Sequence, residues 1–181
     1  MNLSNAELML LELVAEQSSV SGYEISRIVS LRGYKNWADI GNTSIYTGLK
    51  KLKSKGLLDS QIDSKKKGKG PLPTKFKINK SGKKMLEEKI LNSFEEAKVN
   101  SGRFLLGLAG LPFTEKNKVV IILEKKNRSA LKDHEMVKKK FLSDGGDKLD
   151  LNTKEVFRHS FFFMEKSIEF IDSLIKNLKK E

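Results

Sequence analysis

Several kinds of chemistry are excluded by what the chain lacks. It contains no cysteine among its 181 residues, so disulfides, thiolate metal sites and cysteine nucleophiles are excluded. Its only histidines, His134 and His159, lie in different predicted helices, so no metal site is expected. Gly68-Lys69-Gly70 is too short for a phosphate-binding loop, and no Ser/His/Asp ordering stands out. The sequence therefore predicts neither an enzyme nor a cofactor.

Long apolar runs are also missing. No segment approaches the ~18–20 apolar residues of a membrane span, and residues 1–7 show no basic region ahead of an apolar core. Both absences favour a soluble, cytoplasmic protein without a membrane partner. With 38% hydrophobic residues the chain can still build a core, and its length fits one domain or a small domain plus an accessory one.

Acidic residues are absent from residues 64–84, which contain nine lysines. Strand-like sequence lies on both sides of the glycines and prolines in this stretch, at residues 57–62 and 74–78. This pattern predicts a β-hairpin with a basic loop. The formal net charge of +12 indicates a polyanionic partner, either nucleic acid or an anionic membrane surface. Solubility alone explains scattered lysines, but it does not explain a local cluster without acids.

A helix is predicted just before this hairpin, from about Thr43 to Lys55, with Gly56 as its C-terminal cap. Ile45, Leu49 and Leu52 share its apolar face. The other face carries hydroxyl groups and positive charge but no acid, at Thr43, Thr47, Lys50 and Ser54, with Lys51 at its edge. A helix followed by a basic hairpin is typical of a winged helix-turn-helix.

Two tyrosines near these helices have two interpretations. Tyr23 and Tyr46 each lie beside an apolar stripe, where a tyrosine is usually half-buried with its hydroxyl at the rim. The alternative places the hydroxyl against a DNA phosphate, and Tyr46 lies far enough from the buried face to do both.

Earlier helices are predicted by capping boxes at Ser4 and Ser21, each with a glutamate three residues later. After the hairpin, a helix begins at Ser81, and the glycine-punctuated apolar residues 101–112 are interpreted as a helix end and a buried connection. Thr114 caps a long helix that reaches Ser143.

The last helix has the most regular pattern in the chain. Seven apolar residues recur at alternating spacings of four and three, which is a heptad seam: Phe157, Phe161, Met164, Ile168, Ile171, Ile175 and Leu178. The seam either packs inside the chain or forms a dimer. We favour the dimer because the C-terminal half has few helices to bury so much apolar surface. Phe163, Phe170 and Leu174 widen the stripe, which predicts contact with more than one neighbour.

Three segments together resemble the PadR family of bacterial transcriptional regulators. Gly22-Tyr23-Glu24-Ile25 is similar to the family's G-Y-E-[IL]. Residues 44–52, Ser-Ile-Tyr-Thr-Gly-Leu-Lys-Lys-Leu, resemble its recognition-helix pattern S-L-Y-P-x-L-x-x-L, with Thr47 in place of the proline. Residues 76–82 are similar to its Y-x-L-T-x-x-G at the exit of the wing. The C-terminal half resembles the longer subfamily, in which the last helix ends in an aromatic-rich coiled-coil segment.

The resulting fold class is mainly α with a small β-hairpin: a winged helix-turn-helix at residues 1–84, a connecting helix and apolar linker at 85–113, and a helical dimerisation domain at 114–181. The predicted DNA contacts are Tyr23, Thr43, Ser44, Tyr46, Thr47, Lys50, Lys51, Lys65, Lys66, Lys67, Lys69 and Lys75.

Together the pattern and the resemblance imply a homodimeric repressor of transcription that binds double-stranded DNA at an inverted repeat. By resemblance, a phenolic acid or another planar aromatic effector releases it. Two alternatives stay open: an architectural protein that binds nucleic acid without sequence preference, and a winged-helix module whose wing binds an acidic protein.

Overall fold

A computed structural model describes residues 1–38, 45–64 and 72–180 of the chain. The chain divides into two compact units, residues 1–115 and residues 116–181. The first unit contains the predicted winged helix-turn-helix together with the segment 85–113 that the sequence predicts as a connection. The second unit corresponds to the predicted helical domain.

The first helix, α1 (Asn5–Glu16), lies at the centre of the first unit. Ser4 and Glu7 form the predicted capping box, in which each side chain bonds to the backbone N–H of the other residue. Leu8, Leu11 and Leu13 are fully buried. Since α1 has buried residues on every side, it packs against most other elements of the unit.

Two helices follow, α2 (Gly22–Leu31) and the short α3 (Tyr34–Trp37). The capping box of Ser21 and Glu24 starts α2, as predicted. The sequence indicates only a loop after α2, but Tyr34 is buried and its ring packs on Trp37 at a centroid distance of 4.6 Å, which stabilises one helical turn.

The third predicted helix corresponds to α4 (Ile45–Ser54). Leu49 and Leu52 are fully buried, and Gly56 has the left-handed φ of +71° expected of the glycine after a helix. The predicted helix start near Thr43 lies outside the described residues.

A three-stranded antiparallel sheet completes the winged helix, with β1 (Val20–Ser21), β2 (Leu58–Ile62) and β3 (Thr74–Ile78) in the order β1-β3-β2. The register pairs Leu58 with Ile78 and Ile62 with Thr74. The hairpin of β2 and β3 is predicted correctly. The added strand β1 is too short, at two residues, to show a pattern in the sequence.

Two helices close the first unit, α5 (Lys80–Glu96) and α6 (Gly102–Ala109), followed by a 3-10 turn at Leu111–Phe113. The interpretation of residues 101–112 as a helix end and a buried connection was wrong, because α6 is a separate helix with Ser101 as its N-cap. Gly107 allows α6 to approach α5 closely: a Cβ at this position would lie 3.1 Å from the Ser93 Cβ.

The second unit is an antiparallel pair of long helices, α7 (Lys116–Ser143) and α8 (Leu151–Lys180). A glycine turn joins them, with positive φ at Gly145 and Gly146. No helix in the described ranges has an apolar stretch long enough to cross a lipid bilayer.

The seam of α8 predicted for dimerisation faces α7 of the same chain. The rings of Phe157 and Phe161 pack edge-on against Phe141 of α7, at centroid distances of 5.2 and 5.9 Å. Ile171 and Ile175 are buried within the unit. The other five residues of the seam are half-buried, so packing on α7 covers the seam in part. This packing corresponds to the intramolecular alternative that the pattern left open.

Candidate nucleic-acid interface

The outer surface of α4 is polar and basic. Tyr46, Thr47, Lys50 and Lys51 are all exposed, and the helix contains no acidic residue. Its opposite surface is buried at Gly48, Leu49 and Leu52. The described helix therefore presents one tyrosine, hydroxyl groups and ammonium groups to solvent, which are donors suited to base edges and phosphates.

The buried surface of α4 is held tightly on α1. A Cβ at Gly48 would overlap Leu10 Cδ1, so only a glycine allows this approach. At the C-terminal end, Lys55 Nζ donates to Glu7 Oε1 at 2.5 Å and to the Asn2 carbonyl at 3.4 Å. Burial acts to raise the pKa of Glu7, but the bonds from Lys55 and from the Ser4 backbone outweigh it and hold that pKa below its ordinary value.

Tyr46 also contacts the start of α2. A Cβ at Gly22 would lie 2.6 Å from Tyr46 Cε1, so the ring lies directly on the Gly22 backbone. The side chain is still 56% exposed, and the neighbouring Tyr23 is 65% exposed. Tyr46 therefore combines packing with an accessible hydroxyl, whereas Tyr23 is more exposed than the usual half-buried tyrosine.

Arg27 adds a cation that the sequence analysis missed. It lies four residues after Tyr23 on α2, and both side chains are exposed. Residues four apart lie on the same face of a helix. The spacing of Tyr23 and Arg27 is visible in the sequence, whereas the prediction for α2 rested on the apolar residues of the opposite face.

Lys75 is a predicted DNA contact, but its ammonium group lies close to two carboxylates of the same chain. Its Nζ lies 3.7 Å from Glu24 Oε1 and 3.6 Å from Asp63 Oδ2. The backbone N–H and hydroxyl of Ser21, followed by the charge of Lys75, hold the pKa of Glu24 below its ordinary value. Lys75 therefore links the wing to the capping box of α2, and two carboxylates share its charge.

The strands of the wing are described, but its loop is not. Asp63 N–H donates to the Pro73 carbonyl at 2.9 Å, so the strands stay paired beyond Ile62. Lys77 of β3 is exposed. Six predicted DNA contacts lie outside the described residues: Thr43, Ser44, Lys65, Lys66, Lys67 and Lys69.

The two histidines lie apart from any group of three histidine or carboxylate side chains that could hold a metal ion, since the described ranges contain no such group. His134 Nε2 lies 3.3 Å from Glu165 Oε1 and the ring packs edge-on against Phe161, while the His159 ring packs on Phe163. Both histidines thus pack against aromatic residues within the second unit.

Comparison with known proteins gives matches among solved structures alone. A scan of protein-family models finds no match, and no curated protein matches by sequence. Bacillus subtilis PadR in complex with operator DNA is similar at a TM-score of 0.43 and 15% identity, covering 96% of this chain and 95% of that chain. The PadR-like transcriptional regulator BC1756 from Bacillus cereus is similar at 0.40 and 13% identity, covering 97% and 99%. A PadR family transcription regulator from Clostridium difficile is similar at 0.37 and 21% identity, covering 48% and 83%.

Proposed function

We propose that the protein is a DNA-binding transcriptional regulator, in which α4 reads the major groove and the wing contacts the adjacent backbone. The exposed face of α4 carries this proposal. A surface helix that binds nothing normally mixes acids and bases, whereas α4 exposes Thr47, Lys50 and Lys51 without one acid. Tyr23 and Arg27 of α2 extend the same set of donors toward phosphates.

The wing supplies non-specific affinity in this proposal. Lysines at its loop neutralise phosphates and release counterions, which makes the affinity depend on salt. The charge of Lys75 is shared with Glu24 and Asp63, so this residue positions the hairpin and contributes less to DNA affinity.

A homodimer is part of the same proposal, but it uses a different surface of α8 from the predicted seam. Val156, Phe163 and Phe170 recur every seven residues, so they lie on one face, and they are 67%, 42% and 42% exposed. This second stripe runs beside the seam that packs on α7. Pairing two copies along it would bury the aromatic rings and present two α4 helices to an inverted repeat.

Regulation completes the proposal. Repression, and its release by a small aromatic effector, follow from the resemblance of the sequence to the PadR family.

The proposal is tested by selecting bound duplexes from a random pool and measuring affinity for the selected and scrambled sequences at fixed salt. Thr47→Ala and Lys50→Ala should each reduce this discrimination by ~1–3 kcal/mol for every base contact that the substitution removes. Lys84→Ala, which removes an exposed charge from α5, is the control and should leave the ratio unchanged. No enriched sequence would favour an architectural protein, and no duplex binding would favour a protein-interaction module.

A further inference from the structure

A groove of about 680 Å³ lies in the first unit, on a different surface from the exposed face of α4. It is bounded by the first two residues of the chain, by one side of α5 and by the N-terminal turn of α6. Its polar lining residues are Asn2, Lys89, Asn92, Glu96, Ser101 and Arg103.

Arg103 is the distinctive side chain of this groove. It is half-buried, and its Nη1 donates to the Leu3 carbonyl at 3.0 Å. In the described part of the chain no carboxylate forms an ion pair with it. Burial lowers its pKa, against the opposing charges of Glu12 and Glu96. A guanidinium has five N–H donors, so most of its capacity to bind oxygen atoms remains unused by these contacts.

Glu12 is buried in the core and interacts with the charge of Arg103, but it forms no hydrogen bond with it. The side chain is 3% exposed, and within the described residues neither carboxylate oxygen has a hydrogen-bond partner. Burial raises the pKa of Glu12 well above its ordinary value, and the nearby charge of Arg103 opposes this only in part. Since neither oxygen of Glu12 has a described hydrogen-bond partner, Glu12 does not occupy the N–H donors of Arg103.

The other charged residues of the groove form no ion pair with Arg103 either. Lys89 Nζ is paired with Glu88 Oε1 at 2.7 Å. Glu96 is exposed, so water screens its attraction for Arg103. The groove therefore presents a half-buried cation with donors in a planar fork, which is the geometry that binds carboxylate and phosphate groups.

We propose that this groove binds a small anion through Arg103, either a carboxylate or a phosphate group, and that the bound anion weakens the binding of DNA by α4. Anion binding depends on the groove alone, whereas its effect on DNA binding rests on the proposed function.

The connection to α4 runs through the backbone of residues 2 and 3. Arg103 holds the Leu3 carbonyl, and Lys55, directly after α4, donates to the Asn2 carbonyl at 3.4 Å and to Glu7. An anion that binds the unused N–H groups of Arg103 draws the guanidinium toward the groove and away from the Leu3 carbonyl. Since Lys55 bonds to the preceding residue, displacement of this backbone changes the support at the C-terminal end of α4. The coupling is reciprocal, so DNA should also weaken anion binding.

Anion binding is measured first, by titrating inorganic phosphate and succinate into the full chain at constant ionic strength and recording amide chemical shifts of residues 2, 3 and 101–103. Sodium chloride at the same ionic strength is the reference. We expect at least one anion to saturate, with an affinity at least tenfold weaker in Arg103→Met and intermediate in Arg103→Lys. The arm that saturates decides between a phosphate and a carboxylate ligand.

A second variant tests the anion site without changing the packing of Arg103. Asn92→Asp adds a negative charge to the groove and should weaken the same anion severalfold. Asn117→Asp makes the same change on the exposed surface of α7 and should have no effect. Saturation that is equal in the wild type, Arg103→Met and Asn92→Asp would overturn the site, as would the absence of saturation by either anion.

The regulatory part has its own readout. The saturating anion should weaken DNA binding by the wild type at least threefold more than chloride does, and this difference should disappear in Arg103→Met. An equal effect in both proteins would overturn the regulation. If the chain binds no DNA at all, the proposed function fails, while the Arg103-dependent shifts still test the site.

Discussion

The Tyr46 ring lies on the backbone of Gly22, where a Cβ would be 2.6 Å from Tyr46 Cε1. This contact joins two segments that the sequence analysis singled out separately, one at the start of α2 and one in α4. The ring therefore connects α4 to the start of α2, next to the exposed Tyr23, although Tyr46 itself is 56% exposed. The glycine is needed here for space, since its φ does not lie in the left-handed region.

Gly22→Ala should therefore destabilise the protein by ~1–3 kcal/mol, the usual cost of overpacking. The same substitution in a Tyr46→Ala background should be nearly neutral, because the obstructing ring is gone. Urea unfolding of the four proteins measures this coupling as a double-mutant cycle. Additive changes in the free energy of unfolding would show that Tyr46 does not constrain position 22.

Lysines of the wing should determine the salt dependence of DNA binding. Replacing Lys65, Lys66 and Lys67 with alanine removes up to six phosphate contacts from a dimer and should reduce the slope of log K against log salt by about 5. The affinity should fall alike for selected and scrambled duplexes. The measurement is fluorescence anisotropy between 50 and 200 mM salt.

The matched control is the triple substitution of Lys138, Lys139 and Lys140 by alanine, which removes three consecutive exposed charges from α7. Its slope should stay close to that of the wild type. Equal reductions in both triple variants would mean that net charge, and not the wing, sets the salt dependence.

Local signals in the sequence predict much of the first unit. The capping boxes at Ser4 and Ser21 fix the starts of α1 and α2, because they need only residues three positions apart. In contrast, the two residues of β1 become a strand only because Val20 and Ser21 pair with Phe76 and Lys75, far along the chain. The partners of Lys75 are equally remote: Glu24 lies 51 positions earlier in the sequence.

The heptad pattern of α8 shows a second limit. Spacing identifies an apolar face, but it does not identify the helix that covers this face. The seam of Phe157 and Phe161 meets Phe141 of α7, while Phe163 and Phe170, which only widened the stripe, remain exposed. Because the widened stripe predicts more than one neighbour for α8, we place the proposed dimer contact on the second stripe.

Phe163→Asp should abolish the proposed dimer, because it places a charge in the second stripe without entering the packing against α7. Leu151→Asp is the matched control: Leu151 is more exposed, at 68%, and lies about 120° around the helix from Phe163. Sedimentation equilibrium should give monomers for Phe163→Asp and dimers for both the wild type and Leu151→Asp. Operator affinity should fall in Phe163→Asp alone, since paired half-sites bind at high effective concentration.

Two outcomes would contradict different parts of the dimer proposal. A Phe163→Asp protein that stays dimeric, with unchanged helical circular dichroism, would exclude the second stripe as the interface. A wild-type chain that sediments as a monomer at micromolar concentration would exclude the homodimer itself.

Glu12 should make the stability of the first unit depend on pH. Its pKa is raised in the folded state because the carboxyl is buried, so the folded chain holds a proton that the unfolded chain releases above the ordinary pKa of a glutamate. Stability should therefore fall as pH rises from the unfolded pKa of ~4.3 toward the folded pKa, by roughly 1 kcal/mol per pH unit. Glu12→Gln keeps the shape without the ionisation, so it should be more stable than the wild type at pH 7 and nearly equal to it at pH 4. Urea unfolding across this range measures the difference between the two free energies of unfolding. A difference that stays constant with pH would show that Glu12 is ionised, and compensated, in the folded protein.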